Sequence, residues 1–295
     1  MPHDVVDAHH HLWVRSRTPQ DWIDPGTMAA IDADFTPADL PAAEHGVSAT
    51  VVVQSASRWA ETDELLAIAA SGEGRAARIA GVVGWADLSD PAVGDRVAAL
   101  RAGPGGGALV GVRTQVQAER DPGYLDRDDV RRGIAAVCGP GTGSPGLVFD
   151  LVLRQDQVAA AARLADALPD VAFTLDHLGK PRLDRTSDLV EWKRDVTALA
   201  ARPNVTAKVS GLVTEARWDD WQIGDLRPAV DHALETFGPD RLMFGSDWPV
   251  CLLAGGYDAW LEAARALLGG LGPHDAEAVW GGTARRVYRL EGGPA

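Results

Sequence analysis

The sequence predicts an α/β chain folded as a single-domain (β/α)8 TIM barrel over residues 1–295, and three observations carry that expectation. Eight short apolar runs rich in Val, Ile and Leu alternate with segments of helical periodicity, the pattern of a parallel sheet built from crossover units. The first run begins at Asp4 and the eighth at Arg241, which leaves about 34 residues per unit, room for a strand, a crossover helix and two loops. A length of 295 residues with 46% hydrophobic content buries a core large enough for eight units in one domain. A doubly wound open sheet uses the same alternation and is the rival architecture.

In chain order the runs are "DVVDAHH" from Asp4, "ATVVVQS" from Ala49, "RIAGVVGW" from Arg78 and "ALVGVRT" from Ala108. The remaining four are "GLVFDLVL" from Gly146, "VAFTLDHL" from Val171, "VTAKVSG" from Val205 and "RLMFGSDW" from Arg241. Between the first two, "TPADLPAAEHG" reads as a helix with Thr36 as N-cap, Pro37 in the first turn and Gly46 as its stop. "RQDQVAAAARLADALPD" is an alanine-rich amphipathic helix ended by Pro169, while "DLRPAVDHALETFG" and "DAWLEAARALLGG" end in glycine. The stretches "AGPGGG" (102–107) and "CGPGTGSPG" (138–146) read as surface loops. The second lacks the Lys-Ser/Thr of a phosphate loop and follows a helix, so it is given no chemistry.

With 28 Lys and Arg against 42 Asp and Glu, the formal charge is −14, which argues against nucleic acid or an anionic membrane as partner. A small molecule is the expected partner, and a homo-oligomer is left open. Cys138 and Cys251 are too few and too far apart for a disulfide framework or a cysteine-type zinc site. With no leader pattern in "MPHDVVDAHHH" and no long apolar run, the reading is a cytoplasmic protein. Among ten tryptophans, Trp13, Trp59, Trp85 and Trp248 lie near strand ends, where an indole either walls a pocket or fills core.

A barrel of this kind carries its active site at the C-terminal strand ends. Here the first strand ends in His9 and His11, the fourth in Arg113, the sixth in Asp176 and His177 and the eighth in Asp247, and the seventh carries Lys208 and Ser210. So many polar groups at one mouth need partners or a metal. Strand alternation places Asp7, His9 and His11 on one face and His10 on the other. Because strands one and eight are neighbours in a closed barrel, His9, His11 and Asp247 are expected to converge as a site for one divalent ion, zinc or manganese. Asp176, on the opposite strand face from His177, is expected to support a loop. Lys208 is read either as a structural partner of Asp150 or as a substrate contact, and Arg113 as a bidentate substrate clamp or an interior ion pair with Asp150. Gln54, Glu61 and Trp85 are candidate pocket walls, and His3, His45, His232 and His274 are expected to be solvated.

Five segments in order, "DAHHHLW", "LDHLGKP", "KVSGL", "FGSDWPV" and "GGTARRVYRL", resemble the metal-dependent hydrolases of the amidohydrolase superfamily. More narrowly they are similar to the amidohydrolase-2 group, which contains sugar lactonases and dicarboxylate lactonases. The resemblance implies that His9 and His11 are the first-strand histidines and that Asp247 is the general base toward water. It further implies that His177 binds metal or polarises the substrate carbonyl and that Arg113 holds substrate. Thr114 and Thr283 depart from the residues usual in relatives, and "LVFDLVL" offers no lysine to bridge two metals, so a single ion and no organic cofactor is expected. The implied activity is hydrolysis of an L-fucono- or L-rhamnonolactone-like substrate. The alternatives are a metal-dependent decarboxylase of an aromatic or unsaturated acid and a non-catalytic binding barrel.

Overall fold

The computed structural model describes residues 2, 4–142, 146–186 and 188–290; His3 and the tip of the 138–146 loop lie outside them. Eight strands run β1 (Val5–His10), β2 (Val47–Val53), β3 (Ile79–Trp85), β4 (Leu109–Thr114), β5 (Val148–Leu151), β6 (Phe173–Leu175), β7 (Val205–Val209) and β8 (Leu242–Phe244). All pair in parallel in the order β1 to β8, with helices covering the outside, so the structure is the (β/α)8 barrel and not the open sheet. Closure between β8 and β1 falls just past the strand ends. The Asp247 N–H donates to the His9 carbonyl at 2.7 Å, and the His11 N–H donates to the Trp248 carbonyl at 2.6 Å.

Two apolar layers follow from strand alternation. Val6, Ala8, Val51, Val53, Val83, Val148 and Met243 fill the barrel interior, which Tyr288 and Leu290 from the C-terminal segment plug. Alternate residues such as Val5, Val52, Val82 and Val112 face the helices, which return Leu65, Leu164, Trp192 and Trp260 to the same layer. The alanine-rich helix forms at Val158–Ala167, and the helix Ile223–Phe237 stops at Gly238, whose φ of 73° only glycine adopts without strain. No helix among the described residues is long and apolar enough to cross a membrane.

Two local expectations are corrected. "TPADLPAAEHG" forms two single 3-10 turns, Pro37–Asp39 and Pro41–Ala43, although Thr36 does cap with Asp39. The second proline holds Leu40 extended (ψ 118°) and interrupts the run before a helix can propagate. In β1, Asp7 does not share a face with His9. Asp7 is opposite Thr50 and His10 opposite Val52, so β1 spends three residues where β2 spends two, which is a β-bulge. Val6 and Ala8 therefore point inward, the bulge resets the alternation, and His9 again points inward while Asp7 and His10 face the helices.

Gly245 sits at the point of closest approach between the ends of β8 and β1. A Cβ there would lie 2.7 Å from the His9 Cβ and 3.1 Å from its backbone nitrogen. Gly245→Ala is expected to lower unfolding free energy by about 1–3 kcal/mol, as overpacking does. Denaturant titration checks this, and an unchanged midpoint would show that the seam has room.

Candidate active site and metal centre

His9, His11, His177 and Asp247 meet at the C-terminal mouth of the barrel, all buried. Two of them arrive through left-handed backbone: His177 at φ 54° and Asp247 at φ 56°. Such a conformation is uncommon outside glycine and clusters at functional sites. It also explains Asp176, which was expected to support a loop. β6 ends at Leu175 and the chain coils through a short turn, so the side chains of Asp176 and His177 both turn into the barrel mouth.

The donor atoms are spaced for a cation. His9 Nε2 and His11 Nε2 are 3.3 Å apart, and Asp247 Oδ1 lies 3.3 Å from His11 Nε2 and 3.7 Å from His9 Nε2. With bonds of about 2.0–2.1 Å, a tetrahedral zinc ion spaces its ligand atoms about 3.3–3.4 Å apart. His11 Nδ1–H donates to the Val53 carbonyl at 2.7 Å, which leaves its Nε2 lone pair for the ion. His9 Nδ1 lies 3.3 Å from Asp176 Oδ1 and 3.1 Å from Lys208 Nζ, which hold the ring from behind. The residues thus fit one divalent ion held by His9, His11 and Asp247. His177 Nε2 stands 3.8 Å from Asp247 Oδ1, with its Nδ1 at 2.9 Å from Ser210 Oγ.

Burial pushes His9 well down and His177 down to about 4, against the pull of nearby carboxylates, so both imidazoles are neutral near pH 7. Burial works to raise Asp247, but the imidazoles of His177, His11 and His9 outweigh it and hold the carboxyl below its ordinary range. Neutral His9 and His177 beside an ionised Asp247 is the protonation state that metal ligation and base catalysis both need.

Beneath this set lies a buried charge network. Arg113 Nη1 donates to Asp176 Oδ2 at 2.9 Å, and its other nitrogen donates to the Gln54 carbonyl. Lys208 Nζ contacts Asp150 Oδ2 at 2.6 Å and Asp176 Oδ1 at 3.0 Å. The Arg113–Asp150 pair does not form; Lys208 holds Asp150, to which Tyr288 also donates at 2.8 Å. Lys208 is completely enclosed and does not border the pocket, because it lies a layer below the mouth.

Above the network opens a pocket of about 210 Å³ bordered by His11, Arg113, His177 and Asp247 and by residues that sequence reasoning missed: Trp22, Gln115, Gln117, Lys180, Glu215 and Trp218. Lys180 Nζ and Glu215 Oε1 pair at 3.5 Å. Gln54 and Trp85, taken as pocket walls, do not border it. Gln54 is fully buried, donating to the Arg113 carbonyl at 3.4 Å, and Trp85 packs edge-on against Trp59 at 5.1 Å. Glu61 caps the chain at Ser55 and Ala56 instead. Trp13 and Trp248 pack on Phe35 behind the pocket, whereas the half-exposed Trp22 supplies the wall. Its indole N–H donates to the Ser55 carbonyl, which fixes the plane. Lys180 was visible in "LDHLGKP"; Trp22 sits in a long loop with no periodicity to place it. A wider groove of about 600 Å³ near Leu268, Leu271 and Trp280 lies by the opposite end of β1, and its described lining carries no imidazole.

The model of the family described as amidohydrolase matches residues 6–290. An L-fucono-1,5-lactonase of Burkholderia multivorans is 39% identical over 306 residues, spanning 97% of this chain and 96% of the relative. Another from Burkholderia ambifaria is 34% identical over 292 residues, again spanning 97% and 96%. A crystal structure of an amidohydrolase from Burkholderia multivorans with bound zinc superposes with a TM-score of 0.86 at 36% identity, covering 97% of this chain and 99% of that one.

Asp176 accepts from Arg113, pairs with Lys208 at 3.0 Å and lies beside His9 Nδ1. Asp176→Asn should lower stability by about 3–5 kcal/mol, because two buried cations lose a counter-charge. It should also weaken zinc binding about 10–100-fold, as loss of an outer partner of a ligating histidine does. Denaturation and zinc titration read the two effects, and full retention of both would contradict the network.

Proposed function

This chain belongs to the amidohydrolase family, and from that premise we propose that it hydrolyses the ring ester of a sugar-acid lactone of the L-fucono- or L-rhamnonolactone kind. The observation that carries the reading is the convergence of His9, His11, His177 and Asp247 at one barrel mouth, where the last three border one small pocket. Full-length similarity to two L-fucono-1,5-lactonases supports the substrate class. The pocket wall favours a neutral ring over a dicarboxylate. Arg113 is committed to Asp176 and Lys180 to Glu215, so each cation on the wall already faces an acid. Gln115 and Gln117 offer amides to hydroxyl groups, and Trp22 and Trp218 offer apolar planes to the C–H faces of a sugar.

Zinc is the ion that two imidazoles and one carboxylate suit best. Held by His9, His11 and Asp247, it supplies Lewis-acid chemistry, polarising a carbonyl oxygen and making water more acidic. Asp247 turns Oδ1 toward the imidazoles and keeps Oδ2 for the proton of the attacking water. His177 Nδ1 pairs with the Ser210 hydroxyl, and in the tautomer that carries its proton on Nε2 the imidazole donates to the carbonyl oxygen as negative charge develops there. Water oxygen bonds to the carbonyl carbon, the ring C–O bond breaks, and Asp247 returns the proton to the leaving alkoxide. The product is an open-chain hydroxy acid.

Proton release across a panel of aldonolactones tests the proposal. Turnover is expected on L-fucono-1,5-lactone or a close stereoisomer, falling about 10²–10⁴-fold in Asp247→Asn. No turnover on any lactone together with carbon dioxide release from an aromatic acid would replace this reading with a decarboxylase. Because His177 is pushed down to about 4, it stays neutral as pH falls through the ordinary histidine range, and kcat/KM should hold level there. An acid limb breaking near 6.5, and absent from His177→Gln, would contradict that role.

A further inference from the structure

A second cluster of metal-type donors adjoins the first. Ligand atoms of His9, Asp176 and His177 all lie within 4.8 Å of one another, and Asp150 stands on the far side of Lys208. Carboxylates and imidazoles gathered this closely, with no solvent, need positive charge among them. Here side chains provide it. The Lys208 ammonium lies 2.6 Å from Asp150, 3.0 Å from Asp176 and 3.1 Å from His9 Nδ1. The Arg113 guanidinium takes the other Asp176 oxygen at 2.9 Å. Each Asp176 oxygen thus faces a fixed cation, and the Tyr288 ring closes the network from below, 5.3 Å from Lys208 Nζ.

We propose that Lys208, flanked by Arg113, stands in the place of a second metal ion, so that this barrel admits the ion held by His9, His11 and Asp247 and excludes another. The inference rests on the reading of those three residues as the first ion's ligands, and it assigns Lys208 a positioning role. An ammonium is a compact point charge on a flexible stem. Near the end of β7 that stem delivers the charge between the acids of β5 and β6, beside His9 of β1. A divalent ion entering beside it would bring like charge into a buried space, against the ammonium that already faces Asp176 Oδ1 at 3.0 Å. Removing the ammonium reverses the balance. Asp150 and Asp176 then face each other across a cavity with His9 at its edge, a set of oxygen and nitrogen donors that draws in a cation.

The measurement is metal content per folded chain, by elemental mass spectrometry after equilibrium dialysis against zinc, with folding checked by circular dichroism. Lys208→Ala should hold one zinc equivalent more than wild type, and Lys208→Arg, which keeps the charge, should match wild type. Lys208→Gln is measured alongside and should also gain one equivalent, which keeps the test open if the alanine variant does not fold. A folded neutral variant with the same zinc content as wild type, or a wild type that itself holds two tightly bound ions, would overturn the proposal. Because the increment is read, a wild type holding no zinc would count against the first site's reading and leave this one to the difference between variants.

Discussion

Two backbone hydrogen bonds carry the site. One joins the Asp247 N–H to the His9 carbonyl, and the other joins the His11 N–H to the Trp248 carbonyl. They link positions more than two hundred residues apart in sequence and so hold imidazoles from the start of the chain beside a carboxylate from near its end. Asp7 reinforces the seam from outside the barrel, where its carboxylate accepts the backbone N–H of Ser246 at 2.8 Å and the Tyr257 hydroxyl at 3.3 Å. Gly245 and Gly211 permit the close approach. At Gly211, with φ at 61°, a Cβ would meet His177 Nδ1 at 2.5 Å and Asp247 Oδ2 at 2.9 Å. The spacing of donor atoms at this mouth is therefore set by backbone, which resists the thermal motion that would loosen side chains on loops.

Electrostatics divides the barrel interior into two layers of different purpose. The upper layer gathers the imidazoles of His9, His11 and His177 around the Asp247 carboxylate and opens to a pocket. The lower layer holds Asp150, Asp176, Lys208 and Arg113 in mutual neutralisation, with only Arg113 reaching the pocket wall. His9 belongs to both, since its Nε2 faces the mouth and its Nδ1 faces the network. Burial of an isolated charge at this depth would be prohibitive, so the lower layer persists only because its charges are matched. Matching also makes it rigid, and that rigidity fixes His9.

Much of this was legible in the sequence, and the reasons for the exceptions are physical. Strand-length apolar runs at regular spacing give the barrel, and the barrel's closure rule alone brings "HHH" and "FGSDW" together. Alternation separates His10 from its neighbours correctly but fails at Asp7, because a one-residue bulge is a backbone event with no compositional signal. Asp176 was misplaced for a related reason: alternation ends where β6 ends, and the left-handed turn that follows carries His177 and Leu178, neither of which announces positive φ. Lys208 left two readings open because a buried lysine's partner depends on stem direction and depth, which spacing does not report. The pocket wall was hardest to read. Trp22, Gln115, Glu215 and Trp218 sit in loops, whose paths follow from tertiary packing and not from periodicity.

If chain closure builds a cation site from His9, His11 and Asp247, zinc binds at the seam of β8 and β1. Anomalous diffraction at the zinc edge, from crystals of the zinc-loaded protein, tests it most directly. A peak is expected about 2.0–2.2 Å from His9 Nε2, His11 Nε2 and an Asp247 carboxylate oxygen. A fully loaded crystal whose zinc peak lies away from these three atoms would contradict it.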